Sequence, residues 1–145
     1  MPIFATRDWH TENHCSFQEY GGEWPRHCIA STSGAAFPVS LTLPVYTKII
    51  SKATTQARKA YSAFSETQLH ELLQSLKVKR LFVGGLATEY CVLNTVKDAI
   101  GLQYVIFLLE DAVCAMNQKH DDGFRALMEM KRLGAMPINY EELVL

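Results

Sequence analysis

The chain has 145 residues, 48% of them hydrophobic, and a formal net charge of -1 at pH 7. That length and apolar content suit one α/β domain with a real core, and the scattered charges exclude nucleic acid and anionic membrane as expected partners. No apolar run approaches the roughly 20 residues of a membrane-spanning helix, and residues 1–10 lack the basic and apolar regions of a leader, so a cytoplasmic protein is expected.

In chain order, residues 2–5 read as the end of a strand running into a polar, aromatic and Gly-rich stretch from Thr6 to Pro44. A stretch of that length without regular structure points to a functional loop. Residues 45–50, Val-Tyr-Thr-Lys-Ile-Ile, read as a strand that delivers Lys52 to its C-terminal tip. Ser65 and Gln68 form a capping-box pattern, and Leu69, Leu72, Leu73 and Leu76 follow at helical spacing. Residues 80–83 read as a buried strand stopped by Gly84-Gly85. Thr88 then caps a second helix with Val92, Val96, Ala99 and Ile100 on its inner face.

Residues 103–109 are almost wholly apolar and β-prone, as in a strand covered on both faces, with Asp111 just past its end. A third helix is expected over residues 121–133 with Gly134 as its stop, and residues 137–139 begin a last short strand. This alternation predicts a single domain over residues 1–145 with a doubly wound, mostly parallel α/β sheet flanked by helices. Ligands in such folds sit beyond the carboxyl ends of the strands. Asp8-Trp9-His10, Lys52 and residues 84–91 all fall at such ends.

Cys91 follows a strand, a Gly-Gly turn and a helix start, where unpaired N–H groups and the helix dipole favour a thiolate. The plainer alternative is a small buried hydrophobe. The other three cysteines, Cys15, Cys28 and Cys114, are unevenly spaced, with no C-x-x-C, so reduced thiols are expected. Lys52 offers a cation that would lower a thiol pKa, against the alternative of a solvated lysine, with Lys48 as its competitor. Asp8, His10 and His27 supply one carboxylate and two imidazoles, a mixture suited to zinc or another divalent ion, although D-x-H with a distant His is a weak signal. His14 reads as a hydrogen-bonding loop residue. Trp24 lies close to His27 in sequence, and its indole can stack on a flat heteroaromatic ring or simply anchor the loop.

Taken together, the segments Thr-Arg-Asp-Trp-His (6–10), Glu-Asn-His (12–14), Gly-Gly-Glu-Trp-Pro-Arg-His-Cys (21–28), Ile-Ile-Ser-Lys-Ala-Thr (49–54), Tyr-Ser-Ala-Phe (61–64), Gly-Leu-Ala-Thr-Glu-Tyr-Cys-Val (85–92) and Glu-Asp-Ala-Val (110–113) strongly resemble the signature of the nicotinamidases, within the isochorismatase-like cysteine hydrolases. The resemblance implies hydrolysis of nicotinamide to nicotinic acid and ammonia through a cysteine thioester, with pyrazinamide as an analogous substrate. It implies a Cys-Lys-Asp triad in which Cys91 and Lys52 match the first two members. It also implies a metal, commonly zinc with iron or manganese as substitutes, on Asp8, His10 and His27. Further implied features are a cis peptide before Ala87, an oxyanion hole from the N–H groups of Ala87 and Cys91, and a pyridine ring stacked near Trp24. The partner is then a small molecule, with no nucleic acid or membrane, and a homo-oligomer is left open.

One departure stands out. The family's first strand, which carries the triad Asp in a Val-Asp-x-Gln-x-Asp-Phe-like segment, and the helix after it have no match here, and neither Asp8 nor Asp111 aligns with that Asp. The chain as written is therefore expected to have little amidase activity. The competing readings are a catalytically impaired, truncated metal-binding or interaction module, or a hydrolase of another small amide. An isochorismatase acting on a vinyl ether would not need the Cys91 nucleophile.

Overall fold

The structure is a computed structural model describing residues 1–143. Its backbone forms two compact units, Met1–Leu69 and His70–Leu145. The expected parallel α/β architecture is present, with every strand pair among the described residues parallel. Among these residues no helix is long and apolar enough to cross a membrane.

In the first unit, β1 (Phe4–Asp8) pairs with β2 (Lys48–Lys52) over five residues, from Phe4 opposite Lys48 to Asp8 opposite Lys52. Both strands differ from the sequence expectation. β1 continues through Thr6, Arg7 and Asp8, because these polar residues pair their backbone with β2, which local polarity does not reveal. β2 begins three residues later than expected: Val45 is fully exposed and lies in a turn closed by Thr47 N–H donating to Pro44 O. Lys52 remains the last residue of its strand. The long segment between the strands holds two short 3₁₀ turns, Gln18–Tyr20 and Ser33–Ala35, the first preceded by the fully buried Phe17.

The helix α1 (Leu69–Ser75) starts later than the Ser65 pattern suggests. Thr67 Oγ1 accepts the Leu69 N–H at 3.2 Å, and Ser65 instead closes a turn onto Ser62 O. Leu69 and Leu73 are buried, whereas Leu76 lies past the helix and is exposed.

The second unit is a three-stranded sheet in the order β3 (Arg80–Leu86), β4 (Val105–Cys114), β5 (Met136–Ile138), with α2 (Leu93–Gly101) and α3 (Asp122–Leu133). Contrary to expectation, β3 does not stop at Gly84-Gly85 but runs through both. A bulge makes this feasible: Val83 pairs with Leu108, yet Gly85 pairs with Val113. A Cβ on Gly84 would lie 3.0 Å from the Ala112 carbonyl oxygen, so glycine permits the close approach, and Gly85 takes φ +120°. The same bulge lengthens β4, so that Asp111 lies within the strand and not past it. The third helix ends as expected, with Gly134 in the left-handed conformation.

Val96, Ala99, Ile106, Leu108, Ala126 and Met130 form the buried apolar set of this unit. Truncating a fully buried leucine loses its transfer free energy and leaves a cavity. Leu108→Ala should therefore lower the unfolding free energy by about 2–5 kcal/mol, read from the midpoint of urea unfolding with an unchanged slope.

Candidate functional site

In the first unit the parallel register of β1 and β2 puts Asp8 beside Lys52, and Lys52 Nζ donates to Asp8 Oδ1. Lys52 is 3% exposed and donates also to Ala60 O at 3.2 Å. A buried ammonium is costly unless paired and hydrogen-bonded, and these two acceptors meet that requirement. Lys48 sits exposed at the opposite end of the strand.

Beyond β1 the chain doubles back on itself. His10 N–H donates to Cys28 O and Ala30 N–H donates to His10 O, so that His10 pairs with Ile29 as in a short parallel bridge. This turn brings His27 against a residue 17 positions earlier. Gly22 shapes the intervening loop: a Cβ there would lie 2.0 Å from the Ser16 backbone, so only glycine fits as the chain passes from Phe17 to Trp24.

Asp8, His10 and His27 consequently offer donor atoms that all lie within 4.8 Å of one another. Backbone carbonyls fix which imidazole nitrogen faces this point. His10 Nδ1–H donates to His27 O at 2.9 Å, and His27 Nδ1–H donates to Pro25 O at 2.8 Å. A carbonyl oxygen can only accept, so in each ring the proton sits on Nδ1 and the Nε2 lone pair is left to bind a cation. One carboxylate and two such imidazoles fit a divalent metal ion.

His14 is 1% exposed and lies against His10, with ring centroids 4.4 Å apart, but it is outside the donor cluster. Its nitrogens contact Ser16 Oγ at 2.7 Å and Arg58 O at 3.0 Å, as the hydrogen-bonding reading expects. Trp24 Nε1–H donates to Tyr61 OH at 2.9 Å, and the indole lies 6.0 Å from the His27 ring at 54°. The indole is thus anchored by its N–H next to the donor cluster. Tyr61, Ser16 and Ala60 belong to this arrangement but were not legible as site residues; only the quoted Tyr-Ser-Ala-Phe segment marked Tyr61.

In the second unit, the Leu86–Ala87 peptide is cis, and Ala87 leads into a π-helical turn, Thr88–Val92, continuous with α2. Thr88 does not cap this helix as expected; Ala87 occupies the cap position, and the buried Thr88 begins the turn. Val92 N–H and Tyr90 N–H both donate to Ala87 O. Cys91 is half-buried in that turn, and none of the four cysteines is in a disulfide. The residues before it tie the turn to the segment after β4. Glu89 Oε1 accepts the N–H groups of Met116 and Asn117 at 2.9 and 2.7 Å, and Tyr90 OH donates to Gln118 Oε1 at 2.8 Å. Asp111 is engaged elsewhere, both its oxygens accepting the Tyr140 N–H.

The parallel α/β fold carries an Asp-His-His donor cluster in one unit and a cysteine in a strand-to-helix turn in the other, residue types suited to metal binding and to nucleophilic chemistry. A family model for the isochorismatase domain matches residues 1–142. The Escherichia coli (strain K12) nicotinamidase is 32% identical, over 92% of this chain and 72% of its own length. Among solved structures, the pyrazinamidase of Pyrococcus horikoshii in complex with zinc is 47% identical with a TM-score of 0.90, covering 96% of this chain and 75% of that one. The L. infantum PnC1 in complex with nicotinate is 35% identical with a TM-score of 0.92, covering 99% and 74%. The chain belongs to the isochorismatase family.

Burial holds His10 and His14 below the ordinary histidine pKa near 6.5, because it disfavours the charged ring more than their carbonyl partners favour it. The folded state therefore binds fewer protons here than the unfolded chain. Their contribution to stability is complete above about pH 6.5 and is lost as the pH falls through the lowered folded values. Urea unfolding of metal-stripped protein should show stability declining from about pH 7 to about pH 5, and His14→Gln should flatten that decline.

Proposed function

We propose that this chain is a nicotinamidase, hydrolysing the carboxamide of nicotinamide, and also that of pyrazinamide, to the acid and ammonia. The observation that carries the reading is the convergence of Asp8, His10 and His27, with both Nε2 lone pairs presented, in a chain 47% identical to a zinc-complexed pyrazinamidase. Those three residues would hold the metal, with zinc the ion proposed, and a bound divalent ion would supply a Lewis acid that fixes the substrate's ring nitrogen. The Trp24 indole, anchored on Tyr61, would flank the pyridine ring.

In this reading the Cys91 thiolate attacks the amide carbon, and the N–H groups of Ala87 and Cys91 bind the oxyanion that forms. Collapse of that intermediate expels the amine, which takes a proton and leaves as ammonia. Water then attacks the thioester carbonyl, releasing the acid and restoring the thiol. Lys52 supplies positive charge that favours the thiolate. The resemblance assigns the proton carrier to an aspartate of the family's first strand, a position that neither Asp8 nor Asp111 matches. Cys91 argues for an amide substrate over a vinyl ether, since of these two hydrolyses only that of the amide calls for a thiol nucleophile.

The test is ammonia release from nicotinamide by this chain and by the same chain extended with an upstream Asp-bearing strand. The extended form should turn over, and the short form should be slower by roughly 10²- to 10⁴-fold, the usual contribution of a positioned acid–base group. Cys91→Ala should abolish turnover, and near-normal activity in that variant rejects the assignment. In thiol titrations followed by alkylation, Lys52→Met should raise the Cys91 pKa, whereas Lys48→Met should leave it unchanged. Elemental analysis of gently purified protein should find about one divalent ion per chain, lost in a His10→Ala, His27→Ala double variant.

A further inference from the structure

We propose that His14 is a positioning residue for the metal-binding imidazoles and is not itself a metal ligand; this rests on the assignment of Asp8, His10 and His27 as the ligands. His14 is 1% exposed, so the groups around it are its permanent partners. Its Nε2 lies 3.0 Å from Arg58 O. That oxygen can only accept, so Nε2 carries the proton and donates it. Nδ1 is then the acceptor, and it receives the Ser16 hydroxyl at 2.7 Å and the Ser16 N–H at 3.2 Å. Both nitrogens are committed, and no lone pair on the ring is left for a cation.

What remains is the face of the ring, and it lies against His10 at a centroid distance of 4.4 Å and a 30° tilt. Phe17, fully buried, presses edge-on against His10 at 5.5 Å and against His27 at 5.6 Å. His10 is thus fixed by one carbonyl, by the tilted ring of His14 and by two edge-on rings, Phe17 and, at 4.7 Å, His27. The carbonyl sets its tautomer, and the rings around it set its plane.

His14 also joins two stretches of chain. Its bond to Arg58 O, together with Cys15 N–H donating to Gln56 O at 2.8 Å, ties the metal-binding loop to the segment after β2. That segment carries Ala60, whose carbonyl accepts from Lys52. One buried imidazole therefore supports both the His10 ring and the loop that receives the Lys52 ammonium.

The experiment uses Co²⁺ as the probe, measuring its affinity by competition with a chelator and the visible absorption of the saturated protein. Three variants are compared with the parent: His14→Phe keeps a ring but loses both polar contacts, His14→Asn keeps an acceptor for Ser16 alone, and His14→Gln keeps a donor able to reach Arg58 O. His14→Phe should weaken Co²⁺ binding about 10- to 100-fold, the usual loss when a partner of a metal ligand is removed. Its spectrum at saturation should match the parent's in position and intensity. His14→Gln should recover most of the lost affinity, and His14→Asn should fall between, which supplies the comparison should the Phe variant not fold. A saturated spectrum of altered intensity in any variant would make His14 a ligand and overturn the proposal. Unchanged affinity in both the Phe and Asn variants would overturn it equally. A parent protein that binds no Co²⁺ would instead reject the ligand assignment itself.

Discussion

Parallel pairing of β1 with β2 places Asp8 across from Lys52, and the first unit is organised around what this ion pair demands. Lys52 is almost fully buried, and its charge is tolerable because Asp8 and the Ala60 carbonyl replace the water it has lost. The Ala60 contact draws the segment after β2 back toward the strand end. The Asp8 carboxylate also belongs to the donor cluster, so a buried lysine and any divalent ion held there would draw on the same acidic group. The two oxygens of a carboxylate allow both roles, with Oδ1 already turned to Lys52. Hence the electrostatics of the lysine and those of the metal-type cluster are not separable.

The histidines of this unit illustrate how backbone groups assign chemistry to side chains. Nothing about an isolated imidazole decides which nitrogen carries the proton. Here the carbonyls of His27 and Pro25 decide it for His10 and His27, and the carbonyl of Arg58 decides it for His14 with the opposite result. Two rings are left with outward Nε2 lone pairs, and the third is consumed by hydrogen bonds. Glycine at position 22 contributes by absence, since a Cβ there would collide with the backbone at Ser16 and displace the loop that carries Trp24 and His27.

In the second unit the corresponding constraint is the passage of β3 through Gly84 and Gly85 into the turn of Cys91. The bulge opposite these glycines admits the close approach of Ala112, and the chain then enters the Thr88–Val92 turn through a cis peptide. Glu89 and Tyr90 fasten that turn to residues 116–118. A nucleophile, the role proposed for Cys91, needs a fixed approach to its target, and the side chains of the two residues before it fasten its turn. The matched relatives and solved structures share this fold over most of the chain, which shows the family.

Much of the site was legible because its parts are local in sequence. The segments 6–10, 21–28 and 85–92 carry residue types suited to metal binding and nucleophilic chemistry, each ambiguous alone but together resembling one family's signature, and Lys52 could be placed at a strand end from the apolar run before it. The spacing of Leu69, Leu72 and Leu73 in α1, the inner face of α2 and the Gly134 stop were equally readable, since helix periodicity and αL geometry are properties of short stretches. What the sequence left undecided depends on partners distant along the chain. β1 extends through polar residues because β2 pairs with it, and β3 continues through two glycines because a bulge in β4 accommodates them. Likewise Ser65 is bypassed in favour of Thr67, and Thr88 enters a buried turn without capping it. Residue types alone offered Asp8, His10 and His27 as a set suited to a metal and His14 as a hydrogen-bonding loop residue. Only the folded backbone, by placing particular carbonyls against particular ring nitrogens, decided that two of those histidines present a lone pair and the third does not.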